Sequence, residues 1–264
     1  MKKNPALLVY AFAYLAFLYV PVLFLPLFSF NDSRFISFPL TGFTTRWYRD
    51  LAADGAMLHA LGNSLKAGAA TALLSTLLGL LAAKAVTRYR LKATGAALGF
   101  ISLPLFIPDI VLGISLLLLL GAVGLPQSLQ AVVLGHLLVC VPFALTVLVA
   151  RFEGFDRNLE EASADLGETG WMTFWRVTFP LVLPGICASL LLTFITSFDE
   201  FLVAYFLSGT EATLPVYIWG QLRFPERMPM VLALGALILA ASVALVILAE
   251  VLRNRGMKRT RVGA

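Results

Sequence analysis

Long apolar runs constrain this chain more than any other feature. They cover about 6–30, 59–86, 95–121, 129–150, 183–208 and 230–252. A bilayer core takes about 20 apolar residues per helix, and runs of this length have no place in a water-soluble core. The 264 residues are 59% hydrophobic, with a mean hydropathy of +0.88. The expectation is an all-α membrane protein with six transmembrane helices forming one domain over 1–264. The first run follows Lys2 and Lys3, is too long for a signal-peptide core and lacks a small-residue cleavage site. It reads as a retained first span.

Charge sets the expected orientation. Of the 20 Lys and Arg, six spans with both termini inside leave only Arg34, Arg46, Arg49, Lys66, Arg223 and Arg227 outside. Lys2, Lys3, Lys84, Arg88, Arg90, Lys92, Arg151, Arg157, Arg176 and the tail Arg253, Arg255, Lys258, Arg259 and Arg261 fall on the cytoplasmic side. The net charge of +5 is explained by these loops rather than by a nucleic-acid partner. Cys140 and Cys187 lie in apolar segments and read as packing residues.

The longest polar interval, 151–182, lies between the fourth and fifth spans. It holds Glu153, Asp156, Glu160, Glu161, Asp165 and Glu168 against Arg151, Arg157 and Arg176. Asn158 is the expected cap of a short helix through Asp165, with Gly167 and Gly170 ending it. Trp171, Phe174, Trp175 and Thr178 share one side of a second piece, and Pro180 and Pro184 mark the start of the next span. An amphipathic helix lying flat on lipid is usually rich in Lys and Arg, whereas this segment is acidic.

Other polar residues fall inside the spans. The third carries Pro104, Pro108 and Asp109, and prolines at that depth are tolerated where the helix faces protein or a cavity. The fifth carries Asp199 and Glu200, with Ser189, Thr193, Thr196 and Glu200 on one stripe. A charged group at the centre of a span costs about 2.5–3.5 kcal/mol on insertion scales. Two readings stand: a cavity wall that attracts a hydrogen-bonding cation, or a structural pair bonded to Lys66, a partner subunit or free backbone. The spans carry no Lys or Arg near mid-depth, which argues against an anionic solute such as sulfate or phosphate. His136, in the fourth span, reads as a hydrogen-bonded packing residue.

Glu161-Ala162-Ser163 with Gly167 four residues beyond Ser163, followed by Val177-Thr178-Phe179-Pro180, resembles the EAA loop of ABC-importer permeases. The departure is Ser163, where the pattern usually has a second Ala. Ser29–Phe35 (SFNDSRF) with Gly42–Tyr48 (GFTTRWY), and Pro108-Asp109-Ile110-Val111, resemble the spermidine/putrescine permeases. The resemblance implies a type I ABC importer permease fold, methionine-permease-like, in a bacterial inner membrane. It implies that Glu161, Ala162, Ser163, Asp165, Gly167 and Pro180 belong to an ATPase-coupling loop. It also implies a substrate path along Asp199, Glu200, Thr196, Thr193 and Asp109. The implied partners are a second homologous permease, two cytoplasmic ATPase subunits, a periplasmic binding protein and membrane lipid.

The chain has no GxxxxGK[ST] phosphate loop, no HExxH and no CxxC. The expectation is a transport subunit with no catalytic, cofactor or metal site of its own, and with ATP and magnesium held by the partner ATPases. The implied solute is a polyamine. Alternatives are the same machinery for ferric iron, thiamine or aminoethylphosphonate, or an ion-coupled secondary transporter using Asp109, Asp199 and Glu200 as a relay, which needs no coupling loop.

Overall fold

The computed structural model describes residues 5–89 and 93–261, with helix backbone alone at 5–6, 245–246 and 248–261. Lys2, Lys3, Arg90, Lys92 and the side chains of the basic tail therefore lie outside the described residues. Among those described, regular structure is helical, and the one β feature is an isolated bridge between Asn31 and Phe43. Five helices are long and apolar enough to cross a membrane, and a bent pair counted as one span makes six.

The chain divides into two compact units, one of residues 1–57 with 218–264 and one of residues 58–217. In the first, α1 (Pro5–Ser29) packs along α12 (Met228–Arg261), and the short α2 (Arg46–Ala53) packs on α12 through buried Trp47 and Leu51. The segment before α2 is pinned by Asn31. Its side-chain oxygen accepts from the Thr41 N–H at 3.0 Å, and its carbonyl accepts from the Trp47 indole at 2.9 Å. Trp47 is 6% exposed, and its one N–H donor is used inside the protein.

The second unit is built from α3 (Gly55–Arg88), α4 (Thr94–Ser102), α5 (Asp109–Ala122), α6 (Leu129–Glu153), α7 (Asn158–Asp165), α8 (Gly170–Thr173), α9 (Phe179–Asp199) and α10 (Leu202–Leu207). The helix α11 (Leu214–Gln221) begins in this unit. One apolar cluster joins Leu112, Leu116, Val132, Val203 and Leu207, and another joins Ala83, Leu145, Leu148, Phe152 and Val182. Small residues allow the close approaches. A Cβ added at Gly79 would meet the Ala144 Cβ at 2.8 Å, and one at Gly135 would meet Val203 and Leu207 at 2.6 and 2.7 Å. With lipid as apolar as the side chains, such close backbone packing is what holds membrane helices together.

Two spans differ from the uninterrupted helices expected. The third bends by 102° between Thr94–Phe106 and Asp109–Ala122. Pro108 lacks an N–H and forces Ile107 into an extended conformation, so the helix restarts at Asp109. The helix of the fifth begins earlier than expected, at Gly170, and reaches Asp199 through a π turn at Phe174–Thr178. There the Phe179 N–H donates to the Phe174 carbonyl. Pro180 and Pro184 therefore sit within a helix rather than marking its start. The wider π turn makes room for a proline ring that would clash with a preceding carbonyl. The same span then breaks at Glu200 and Phe201 before α10.

Gly79→Val tests the close approach. The added carbons must enter space held by Ala144, at a cost of about 1–3 kcal/mol. The expected outcome is a lower Tm of the detergent-solubilised protein than for Gly62→Val, since a Cβ at Gly62 meets nothing within 4 Å.

Candidate functional site

The polar segment between α6 and α9 is an ordered corner. Asp156, not Asn158, supplies the side-chain acceptor at the start of α7. Its Oδ1 takes the Asn158 N–H at 2.9 Å, and Asn158 is itself helical. The Asp156 carboxylate lies two residues back, where an Asx turn forms readily. After α7, Gly167 has φ of +88°, a left-handed conformation that glycine adopts without the steric cost of a Cβ. The Thr169 hydroxyl then accepts from the Met172 N–H to start α8.

The segment has an inner and an outer face. Ser163 is buried and its hydroxyl lies 3.1 Å from the Thr173 hydroxyl, joining α7 to α8. A hydroxyl at Ser163 thus makes a contact that alanine would not. Outward, Glu161 is 60% exposed and pairs with Arg157 at 3.1 Å across one helical turn. Leu159, Leu166 and Trp171 are exposed, with Leu166 the most at 86%. Ala162, Asp165 and Pro180 are exposed as well, with Pro180 in the body of the helix. Arg176 pairs with Glu168 across the corner. The result is a firm acidic and apolar surface.

The fifth span carries its polar groups in a different arrangement from the stripe expected. Ser189, Thr193 and Ser197 form the buried row. The Ser189 hydroxyl lies 2.9 Å from the Thr76 hydroxyl of α3, and the Thr193 hydroxyl donates to the Ser189 carbonyl at 2.7 Å. Ser197 Oγ lies 2.7 Å from His136 Nδ1 of α6. The Ser189 and Ser197 bonds hold α9 to α3 and α6, while the Thr193 hydroxyl bond stays within α9 and Thr193 is fully buried. Thr196 is on the neighbouring face, half-buried, with its hydroxyl donating to the Leu192 carbonyl.

Glu200 turns inward. Its two oxygens accept from the N–H groups of Val203 and Ala204, each at 3.0 Å, and one lies 3.2 Å from His136 Nε2. The carboxylate closes the break in the span by capping α10. It also faces a histidine that is 1% exposed. Lys66, weighed as its partner from the sequence, is replaced by His136. The sequence signal was there in the polar residues of two facing spans, but 64 positions of separation hid the pairing. Asp199, one residue earlier, is exposed, as is Asp109 at the first turn of α5. Cys140 is buried with its thiol toward the Thr193 carbonyl at 3.6 Å; Cys187 is exposed, and both are free.

Sequence reasoning missed Glu160. One of its oxygens accepts from Arg88 at the end of α3, and the other accepts from the Thr178 hydroxyl at 2.5 Å. Arg88 also donates to the Phe152 carbonyl at 3.1 Å and lies over the Phe155 ring at 4.6 Å.

The chain is a many-helix membrane protein with an ordered polar corner and small residues between its spans, and its relatives say which family builds this way. Residues 75–258 match the family described as binding-protein-dependent transport system inner membrane component. The chain is 36% identical to the putrescine transport system permease protein PotI of Escherichia coli (strain K12), over 94% of this chain and 92% of that protein. It is 33% identical to the spermidine/putrescine transport system permease protein PotC of the same organism, over 90% and 89%. Its fold matches a crystal structure of a bacterial ABC transporter involved in the import of the acidic polysaccharide alginate. The TM-score is 0.72 with 19% identity, covering 95% of this chain and 94% of that one. The chain therefore belongs to the binding-protein-dependent inner-membrane permease family. It is a multi-pass transport component, and the type I importer permease fold expected from the sequence is the one found.

Glu200→Ala removes two caps and leaves His136 without its carboxylate. The expected loss of stability is at least about 1 kcal/mol from the cap alone. Asp199→Ala should change stability by less than about 0.5 kcal/mol, as for an exposed side chain away from such contacts. Thermal denaturation of the two purified variants reads the difference directly.

Proposed function

We propose that this chain is one permease subunit of an ATP-driven, binding-protein-dependent importer of a small polyamine, putrescine or spermidine. The observation that carries the reading is the 36% identity to a putrescine permease across nearly the whole chain. The chain forms a single transmembrane domain with both termini in the cytoplasm. It works with a second homologous permease and two cytoplasmic ATPase subunits, which hold ATP and magnesium, in a bacterial inner membrane. A periplasmic binding protein delivers the solute.

The polar corner of residues 151–182 is the docking surface for an ATPase subunit. Glu161, Ala162 and Asp165 are presented on α7 with Leu166 beyond them, Ser163 and Gly167 hold the corner, and Pro180 follows the π turn that joins it to α9. Its outward mix of carboxylate and apolar side chains suits a partner with a basic-rimmed apolar cleft. The solute path is lined from this subunit by Asp109, Asp199 and Thr196. Two exposed carboxylates without a Lys or Arg on α5 or α9 favour separated ammonium groups over an anion. Glu200, which caps α10 and faces His136, and the buried Thr193 support that path by holding its wall.

Cells that express this chain with its partners should take up labelled putrescine, with competition by unlabelled spermidine and none by molybdate. Asp199→Asn should lower uptake about tenfold, as expected for loss of a charge-assisted contact of about 1.5 kcal/mol. Uptake competed by an anion, or unchanged in the variant, contradicts the polyamine path.

A further inference from the structure

The polar corner has to be fastened to the spans if movement of a docked partner is to reach them, and one side chain does most of the fastening. Glu160 has 14% of its side chain exposed and Arg88 has 12%. Their ion pair joins α7 to the end of α3. The second Glu160 oxygen takes the Thr178 hydroxyl at 2.5 Å, which reaches the π turn leading into α9. Arg88 extends the junction to the end of α6. It donates to the Phe152 carbonyl at 3.1 Å, with its guanidinium 5.4 Å from the Phe152 ring and 4.6 Å from the Phe155 ring. Phe152 is fully buried. Through one carboxylate the corner is tied to α3 and to the turn leading into α9, and Arg88 carries the tie on to α6.

The neighbouring Glu161 contrasts at every point. It is 60% exposed and its one ion pair is with Arg157 of the same corner, so it holds nothing of the corner to the spans. An exposed pair of this kind is worth little, whereas a buried charge that loses its partner is strongly disfavoured. The position of the π turn adds to the argument. Single π turns inside α-helices are rare overall and frequent at functional sites. This one ends at the residue that Glu160 holds.

We propose that Glu160, with Arg88 and Thr178, is the positioning cluster that transmits movement of the docked ATPase to the spans α3, α6 and α9, while Glu161 serves the docking face. This rests on the reading of the corner as an ATPase-docking surface. Glu160 acts through the helices it joins, and touches neither the solute nor the partner. Removing its hold leaves an ATPase that still binds but drives less transport.

The test uses the complete transporter in proteoliposomes, with three readouts: ATPase subunit retained on purification, ATP hydrolysed, and putrescine moved. Glu160→Gln removes the ion pair, and Thr178→Val removes the second hold while leaving the ion pair in place, so the cluster remains testable if the first variant folds poorly. Both should keep the ATPase subunit at the wild-type ratio while moving about fivefold less putrescine per ATP, the lower edge of usual coupling between sites. The exchange Arg88→Glu with Glu160→Arg should recover part of that loss. Glu161→Lys should instead lose the ATPase subunit. Putrescine moved per ATP at the wild-type value in both Glu160→Gln and Thr178→Val overturns the proposal. So does loss of the ATPase subunit from both. Failure of the docking reading looks different: Glu161→Lys then keeps its ATPase and its transport.

Discussion

Hydrocarbon offers no hydrogen bonds, so wherever a helix of this chain is interrupted the released backbone groups must find partners within the protein. The two interrupted spans meet this demand in different ways. At the bend before α5, Pro108 has no N–H to place, and its carbonyl accepts from Val111 and Leu112 at 2.8 and 3.0 Å. At the break before α10, Glu200 brings a carboxylate to the N–H groups of Val203 and Ala204. A buried carboxylate is costly alone. Here it is placed against two donors and His136, and His136 is itself held by Ser197. The interrupted spans persist because each break is closed from within.

The same accounting separates the carboxylates into two groups. Glu160 and Glu200 are shielded and each binds elements distant in sequence: α7 to α3 and α9, and α10 to α6. Glu161, Asp109 and Asp199 are exposed. The shielded ones hold the helices in place, and the exposed ones are those we propose meet a partner or the solute. Adjacent residues fall on opposite sides of this division twice, at 160 and 161 and at 199 and 200. A transport subunit needs both kinds, because the surface shown to a partner or a solute is only as firm as its attachment to the spans.

Much of the architecture was legible in the sequence. Hydropathy over about 20 residues reports membrane helices well, because lipid leaves the backbone few alternatives. The corner at Gly167 was legible because glycine there answers a positive φ. The bend at Pro108 and the break after Glu200 were not read. Proline in a span signals a disturbance without its angle, and Glu200 as a cap depends on which way the side chain turns once the helix has stopped. The row Ser189, Thr193, Ser197 was displaced to Thr196 and Glu200 because helical spacing alone does not say which side meets α3 and α6. Glu160 was hidden for a related reason. Its two partners lie 72 and 18 residues away, and only the fold brings them to one carboxylate.

The account stands on ATP-driven movement of a cation by a complex that this chain enters through its polar corner. The measurement that tests this most directly is uptake of labelled putrescine by sealed vesicles holding the whole transporter and its binding protein. ATP is supplied either on the side of the 151–182 corner or on the opposite side alone. The account predicts uptake only when ATP is on the side of the corner, and none without ATP. Uptake that proceeds without ATP, or that follows a proton or sodium gradient instead, would contradict it.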